Sequence, residues 1–184
     1  VTGSGKTMVY LKLIQQMLEQ GRTALVLVPE IALTPQLLET FMRYFGDQVA
    51  VLHSALQTGQ RYDEWKRIRT GKAKVVVGTR SAVFAPLQNL GLVILDEEHE
   101  SSYKSEASPK YHARETAMEI ARLQGASVVL GSATPSLEAY YRADKGEYRL
   151  FTLKERLTGG SLPTVYTVDL RQELKEGNRS IFSR

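Results

Sequence analysis

The chain has 184 residues, of which 42% are hydrophobic and 24% charged, so its composition is that of one well-buried globular domain. It contains no cysteine, which excludes disulfides and thiolate metal sites, and it has no apolar run near the ~20 residues that span a bilayer. The net charge of +4 permits a nucleic-acid partner without requiring one, because basic and acidic residues are interleaved.

Short β-branched apolar runs alternate along the chain with stretches whose apolar residues recur at helical spacing. Near-continuous apolar runs are typical of strands buried on both faces of a parallel sheet. The predicted strands are 23–29, 49–52, 74–79, 92–96 and 127–131. The helical stretches carry Tyr10, Leu13, Ile14, Met17 and Leu18, then Leu37, Leu38, Phe41, Met42 and Phe45, and later Ala113, Ala117, Ile120 and Ala121. This alternation predicts a doubly wound α/β domain with helices on both faces of a mostly parallel sheet.

Further predictions concern the middle and the end of the chain. Trp65 lies in a helical stretch, and we expect it to pack into the core. The regular pattern weakens after about Tyr140. The runs 148–153 and 164–170 are predicted as strands, joined by a loop over 157–163.

The first residues, VTGSGKT, stand directly before the first predicted helix. Phosphate-binding loops have the pattern G-x-x-x-x-G-K-[ST], whose first glycine would precede Val1. Glycines let backbone N–H groups wrap a phosphate, and the helix N-terminus adds a favourable dipole. Lys6 is predicted to reach the β- and γ-phosphates and Thr7 to ligate Mg²⁺. The predicted nucleotide-binding residues are Thr2, Gly3, Ser4, Gly5, Lys6 and Thr7; the alternative is a flexible Gly-Ser turn that caps a helix.

A phosphate loop needs a carboxylate at the end of a buried strand to hold the metal, and LVILDEEHE (92–100) supplies one. Asp96 is predicted to hold Mg²⁺ through water, and Glu97 to orient and deprotonate the attacking water. An acidic pair after a strand also suits ordinary helix capping. Its combination with an upstream Gly-Lys-Thr favours a site for ATP and Mg²⁺.

DEEH (96–99) resembles motif II of superfamily 2 helicases of the DExH type. VPEIALT (28–34), VVVGTRSAVFAP (75–86) and GSATPS (131–136) resemble motifs Ia, Ib and III, in the order of one RecA-like helicase lobe. GSATPSLE, DEEHESSYK and PKYHARETA resemble more closely the family of bacterial primosomal helicases that restart stalled replication forks, from Val1 to about Asp169. The resemblance implies an N-terminally truncated lobe over 1–145, with 146–184 closing it and starting the connection to a second lobe.

The resemblance also implies roles for individual residues. Lys6, Asp96, Glu97 and His99 form the expected catalytic set, with His99 coupling the nucleotide site to DNA-binding elements. A histidine packed at the strand end is the alternative. The expected relay between hydrolysis and movement is Ser132, Ala133 and Thr134, a stretch that is also compatible with a strand-to-helix turn.

The segment 101–114 resembles the family's aromatic-rich loop and interleaves rings with cations. Such a surface suits single-stranded DNA, because bases stack on rings and phosphates pair with charges. An exposed polar loop is the alternative. Motifs Ia and Ib are expected to contact the DNA backbone. The expected DNA-binding residues are Pro29, Thr34, Arg80, Ser81, Tyr103, Lys104, Lys110, Tyr111, His112 and Arg114.

The implied cofactors are ATP and Mg²⁺, with zinc bound elsewhere in the full-length family member and not in this chain. The implied partners are forked and single-stranded DNA, primosome proteins and single-strand-binding protein, in the bacterial cytoplasm. An arginine finger from a second lobe contributes roughly 10³–10⁵ in turnover, so the isolated chain is expected to be nearly inactive. A RecG-like fork translocase, an RNA-directed DExH helicase and a non-catalytic scaffold remain the alternatives.

Overall fold

Five strands, each parallel to its neighbours, form one sheet in the computed structural model, which describes residues 5–155, 166–175 and 177–180. The strands are β1 (Thr23–Leu27), β2 (Val49–Leu52), β3 (Val75–Gly78), β4 (Leu90–Asp96) and β5 (Ser127–Gly131). Their order across the sheet is β2-β3-β1-β4-β5. The strands predicted from these five apolar runs are therefore confirmed, and so is the parallel sheet.

The α-helices alternate with the strands along the chain, except between β3 and β4. They are α1 (Lys6–Glu19), α2 (Pro35–Phe45), α3 (Thr58–Arg69), α4 (Ala113–Gln124), α5 (Leu137–Asp144) and α6 (Leu170–Lys175). Local chemistry sets their ends: the Thr34 hydroxyl accepts a hydrogen bond from the Leu37 amide at 3.3 Å, and Pro35 occupies the first turn of α2. Gly125 ends α4 in the left-handed conformation, with φ 60°. None of the described helices is long and apolar enough to cross a bilayer.

The sheet is buried on both faces, which explains its nearly continuous apolar strands. Alternate residues of one strand belong to opposite sides: Leu25 and Leu27 pack with residues of α3 and α4, while Ala24 and Val26 pack with α1 and α2. The α/β architecture with helices on both faces is confirmed.

Three of the sequence-based predictions of packing and secondary structure are wrong in the described residues. Trp65 is 37% exposed and lies between Tyr62 and Arg69 on the surface of α3, because only Ile68 of that helix is fully buried. The run 148–153 forms no strand, since the edge strands β2 and β5 pair only with β3 and β4.

The last of the three predictions concerns the run 164–170, of which residues 164 and 165 lie outside the described part. Residues 166–169 form no strand, and Leu170 begins α6. The side chain of Asp169 accepts a hydrogen bond from the Arg171 amide at 2.9 Å, which caps the helix. The sequence LRQELK consists of good helix formers, and their propensity outweighs the apolar alternation before them.

Candidate active site

The carboxyl ends of the strands carry the predicted catalytic cluster, which consists of Lys6, Asp96 and Glu97. Asp96 ends β4, while Lys6 begins α1 directly after Gly5, whose φ of 86° is left-handed. The Lys6 Nζ lies 2.5 Å from the Glu97 Oε1 and 3.4 Å from the Asp96 Oδ1. Residues more than eighty positions apart in the sequence thus form one charged cluster.

The backbone of Glu97 is strained. Its φ of 45° lies in the left-handed region, which few residues other than glycine adopt. Such a conformation costs on the order of 1–3 kcal/mol and is concentrated at functional sites. The strained backbone therefore belongs to the residue whose carboxylate we expect to activate water.

Two tyrosines hold Asp96 in place. The Tyr10 hydroxyl donates to the Asp96 Oδ1 at 2.8 Å. The Tyr103 hydroxyl oxygen lies 2.6 Å from the Asp96 carbonyl and 2.9 Å from the Leu27 carbonyl, so the two carbonyls share its single proton. Burial raises the pKa of both hydroxyls, and the adjacent negative charge of Asp96 raises each pKa further. Both tyrosines therefore remain protonated donors.

The remaining nucleotide-binding predictions divide between described and undescribed residues. Gly5 and Thr7 lie half-buried at the start of α1, beside Lys6. Thr2, Gly3 and Ser4 lie outside the described residues.

The donor set fits Mg²⁺ with a nucleotide better than a metal held by protein alone. In the described residues, no group of three or more His, Cys, Asp or Glu side chains is placed to hold a metal ion. The Asp96 carboxylate lies at the end of β4 near Lys6, and Thr7, the next residue of α1, carries a hydroxyl. Mg²⁺ commonly takes one or two protein oxygens and completes its shell with phosphate and water.

His99 links the catalytic cluster to motif III. Its Nδ1 lies 2.8 Å from the Ser132 Oγ and 3.7 Å from the Glu97 Oε2. The Ser132 Oγ also accepts a hydrogen bond from the Thr134 amide at 3.0 Å. Ala133 lies half-buried between these two residues. Ser132 thus contacts motif II directly, and Thr134 is connected to it through the Ser132 hydroxyl.

A buried network that the sequence did not reveal lies behind His99. The Glu98 side chain is 1% exposed and accepts from the Arg114 Nη1 at 3.1 Å, the Ser136 amide at 2.7 Å and the Ser136 hydroxyl at 3.0 Å. Ser136 in turn caps α5 by accepting from the Ala139 amide at 3.2 Å. The network ties motif II to the starts of α4 and α5.

Several residues expected to contact DNA are engaged inside the fold instead. Pro29 is buried. The Arg80 Nη1 donates to the carbonyls of Ser102 at 3.0 Å and Lys104 at 2.6 Å, so its guanidinium holds the segment 101–114. Thr34 is exposed but caps α2, and Ser81 is exposed.

Of the two tyrosines in the segment 101–114, Tyr103 is buried, which contradicts the stacking role expected for its ring, whereas Tyr111 is half-buried. Tyr103 is 1% exposed because its hydroxyl serves two buried carbonyls, so its ring offers no face to a base. Tyr111 is half-buried and meets Phe84 edge to face, with ring centroids 4.9 Å apart. The segment folds back on itself, because the Ser105 amide donates to the Tyr111 carbonyl at 2.8 Å.

The cations of the same segment differ in their freedom. His112 caps α4, its Nδ1 accepting from the Arg114 amide at 3.2 Å, and burial together with the charge of Arg114 lowers the pKa of His112. Arg114 is bound to Glu98. Lys104 and Lys110 are exposed, so they are the cations of this segment that remain open to a phosphate backbone.

The contact of Tyr10 with Asp96 has a signal in the sequence. Tyr10 lies one helical turn after Lys6, on the same face of α1, which places its hydroxyl toward the same strand end. Its place in the apolar stripe of α1 does not by itself predict this contact. The partners of Arg80 and Arg114 left no comparable signal.

The comparisons with known proteins agree with this geometry. The DEAD/DEAH box helicase family model matches residues 1–143, and the chain belongs to that family. Such a helicase domain implies ATP and Mg²⁺. The expected superfamily and the RecA-like fold are confirmed.

More particular similarity is to the replication restart protein PriA, which confirms the resemblance to primosomal helicases. The PriA of Bacillus subtilis strain 168 is 56% identical over 183 residues, covering 100% of this chain and 23% of that protein. The PriA of Synechocystis sp. is 51% identical over 189 residues, with coverage of 100% and 23%. The chain thus spans about a quarter of the length of these relatives.

Among solved structures, RecG bound to a three-way DNA junction is 26% identical, with a TM-score of 0.56. The match covers 79% of this chain and 18% of RecG. RecG therefore shares the lobe fold, at far lower identity than the PriA proteins.

Proposed function

We propose that this chain is the ATP-binding lobe of an ATP-dependent DNA helicase that unwinds DNA at stalled forks and loads the primosome for replication restart. The observation that carries the proposal is the contact of Lys6 at the start of α1 with Asp96 and Glu97 at the end of β4. A lysine, a metal-binding carboxylate and a residue that orients water are recurring parts of sites that transfer a phosphoryl group to water. The similarity to PriA supplies the DNA substrate.

Each member of the catalytic cluster has a distinct role in this proposal. Lys6 binds the β- and γ-phosphates, Thr7 and Asp96 hold Mg²⁺, and residues 2–5 wrap the phosphates with backbone N–H groups. The γ-phosphoryl group of bound ATP would be the electrophile, with ADP as the leaving group, and bound Mg²⁺ would help to neutralise the charge that develops on the phosphate oxygens. Glu97 takes a proton from the attacking water, and its strained backbone is of the kind that is concentrated at functional sites.

His99 and motif III carry the coupling between hydrolysis and movement. The 2.8 Å contact between the His99 ring and Ser132 connects a neighbour of Glu97 to the turn that precedes α5. A change in hydrogen bonding at Glu97 therefore reaches Ser132 and Thr134 through adjoining contacts. We place the motion that follows in the larger protein, between this lobe and a second one.

The DNA contacts rest on exposed residues at the same end of the sheet. Ser81, Lys104 and Lys110 are exposed and suit phosphate contacts without base specificity. The proposed partners are forked and single-stranded DNA, primosome proteins and single-strand-binding protein, in the bacterial cytoplasm. We place any zinc of the full-length protein in a region other than this cysteine-free sequence.

The proposed domain division keeps residues 1–145 as the lobe and 146–184 as its end and the connection toward a second lobe. Since an arginine finger of the second lobe contributes roughly 10³–10⁵ in turnover, this chain alone should hydrolyse ATP very slowly.

The test is ATP hydrolysis by the full-length protein with forked DNA, single-stranded DNA, RNA or no nucleic acid. We expect stimulation by DNA, and a loss of about 10²–10⁴ in turnover for Glu97→Gln, because general-base catalysis contributes that much. Glu119→Gln, an exposed change on α4, is the matched control and should hydrolyse ATP like the wild type.

Two results would replace the proposal. Stronger stimulation by RNA would assign the protein to the RNA-directed helicases. An absence of turnover with every nucleic acid would make it a binding scaffold.

A further inference from the structure

Two donors of different character, Lys6 and Tyr10, share the carboxylate of Asp96. One donor is Lys6, whose Nζ lies 3.4 Å from the Asp96 Oδ1 and closer still to Glu97. In the proposed function the same ammonium group binds phosphate, so phosphate competes with both carboxylates for it. The direction of the Asp96 carboxylate therefore requires a donor that is independent of Lys6.

Tyr10 meets that requirement. Its ring is 4% exposed and packs in the apolar layer between α1 and the sheet, with Ile14 and Val26 among its cluster neighbours. A ring fixed by packing presents its hydroxyl in one direction, 2.8 Å from the Asp96 Oδ1. Because the hydroxyl is neutral, it orients the carboxylate without cancelling the charge that attracts a cation.

Gly131 provides the space in which this contact forms. It pairs with Asp96 across β4 and β5. A Cβ added at Gly131 would collide with the Tyr10 hydroxyl and would lie 3.2 Å from the Asp96 Oδ1. The glycine of GSATPS therefore has a steric function at the catalytic cluster, separate from the turn that follows it.

We propose that Tyr10 is a positioning residue that orients Asp96 for Mg²⁺, and that Gly131 is required to leave room for its hydroxyl. The proposal rests on the proposed ATPase function. It assigns a role at the metal site to α1 beyond the phosphate loop, and it connects the first residue of motif III to that site.

The experiment is a Mg²⁺ titration of DNA-stimulated ATP hydrolysis by the full-length protein with Tyr10→Phe. Loss of a hydrogen bond behind a metal ligand typically weakens metal affinity by 10–100-fold, so we expect the half-saturating Mg²⁺ concentration to rise about tenfold. The rate at saturating Mg²⁺ should be largely kept. Tyr62→Phe, on the exposed surface of α3, should leave the titration unchanged.

Binding of a fluorescent ATP analogue separates a metal-site effect from a general structural one. In EDTA, the Tyr10→Phe variant should bind the analogue as the wild type does, whereas at limiting Mg²⁺ its binding should weaken. An unshifted Mg²⁺ titration would overturn the inference, and so would an equal loss of binding in EDTA.

Gly131→Ala provides a second variant. Because its methyl group displaces the Tyr10 hydroxyl, it should shift the Mg²⁺ titration in the same direction. Combining it with Tyr10→Phe should add little, since both changes remove one contact. Additive shifts would overturn the role of Gly131. If the wild-type protein shows no ATP hydrolysis, the proposed function fails and this inference with it; hydrolysis with an unshifted Tyr10→Phe titration overturns the inference alone.

Discussion

The catalytic cluster and the segment 101–114 adjoin each other at the carboxyl ends of the strands, but they use their polar side chains differently. In the catalytic cluster, Lys6 and Glu97 meet at 2.5 Å while both remain partly accessible, so a ligand can compete for their charges. In the segment 101–114, the Tyr103 hydroxyl bonds to the Asp96 carbonyl and the Arg114 guanidinium bonds to the buried Glu98 carboxylate, so both side chains are engaged within the fold.

The contrast shows that residue type alone does not identify a nucleic-acid surface. Tyrosine and arginine suit both base stacking and the satisfaction of buried carbonyls or carboxylates, because each combines a long apolar body with strong donors. A buried acceptor without a partner costs about 1–3 kcal/mol, so a nearby donor is drawn to it. The two uses are distinguished by whether the ring face or the charged group is free to contact a ligand in the folded chain.

The sharpest test of this contrast breaks the buried pair of Glu98 and Arg114. We expect Arg114→Met to destabilise the chain by about 3–5 kcal/mol, because it leaves a buried carboxylate without its cation. Lys104→Met removes an ion pair with Glu106, whose side chains are 63% and 74% exposed, and should cost about 0–1 kcal/mol. Chemical unfolding of the chain, followed by circular dichroism, measures both.

A second change makes this test independent of side-chain size. Adding Glu98→Gln to Arg114→Met removes the unpaired charge and should restore part of the lost stability. If Arg114→Met and Lys104→Met have equal small effects, the two regions do not differ as the structure indicates.

The same contrast explains what the sequence could predict. The strands and α1, α2 and α4 followed from apolar runs and helical spacing, because both faces of the sheet are covered. Lys6, Asp96 and Glu97 followed from motif chemistry, since the carboxyl ends of parallel strands share one edge. These features depend on local pattern and on one topological rule.

The features that escaped prediction depend on which group lies opposite in space. The Tyr103 ring is buried because the carbonyls of Leu27 and Asp96 converge on its hydroxyl, and the sequence between those residues does not encode that convergence. Trp65 is exposed because α3 packs against the edge of the sheet through a single fully buried residue, Ile68. Apolar alternation over 148–153 similarly lacked a neighbouring strand.

The salt dependence of DNA binding tests the contrast at the level of single cations. Each phosphate contact on single-stranded DNA contributes about 0.7 to the slope of log affinity against log salt concentration. Lys110→Ala should reduce that slope by about 0.7, because Lys110 is exposed. Arg80→Met should leave the slope unchanged, because its guanidinium is bound to the carbonyls of Ser102 and Lys104.

Fluorescence anisotropy of labelled single-stranded DNA with the full-length protein, over a series of salt concentrations, gives both slopes. A reduced slope for Arg80→Met would show that this side chain reaches phosphate after all, and the assignment of Arg80 to the fold would be wrong.

The smallest expected effect is a pH dependence of the cap at His112. Neutral His112 accepts from the Arg114 amide through Nδ1, and a proton on Nδ1 would remove that acceptor. Burial, the charge of Arg114 and that of Lys104 lower the pKa of His112 in the folded chain, while Glu115 and Glu98 oppose the shift. With the folded-state pKa below the ordinary value of 6.5, the unfolded chain binds the proton more readily. The contribution of this cap is therefore complete above about pH 6.5 and is lost as the pH falls toward the lower, folded-state pKa.

Asparagine caps helices without titrating, so His112→Asn is the matched comparison. Between about pH 7.5 and about pH 5.5, the wild type should lose more stability than His112→Asn, by about 0.5 kcal/mol or less, the lower end of helix-cap energies. The difference between the two unfolding free energies, measured by chemical unfolding at each pH, isolates His112 from the other titrating groups. If the two stabilities fall in parallel, the imidazole is not the acceptor that begins α4. His112 would then, unlike Tyr103 and Arg114, have its ring nitrogens available to a ligand.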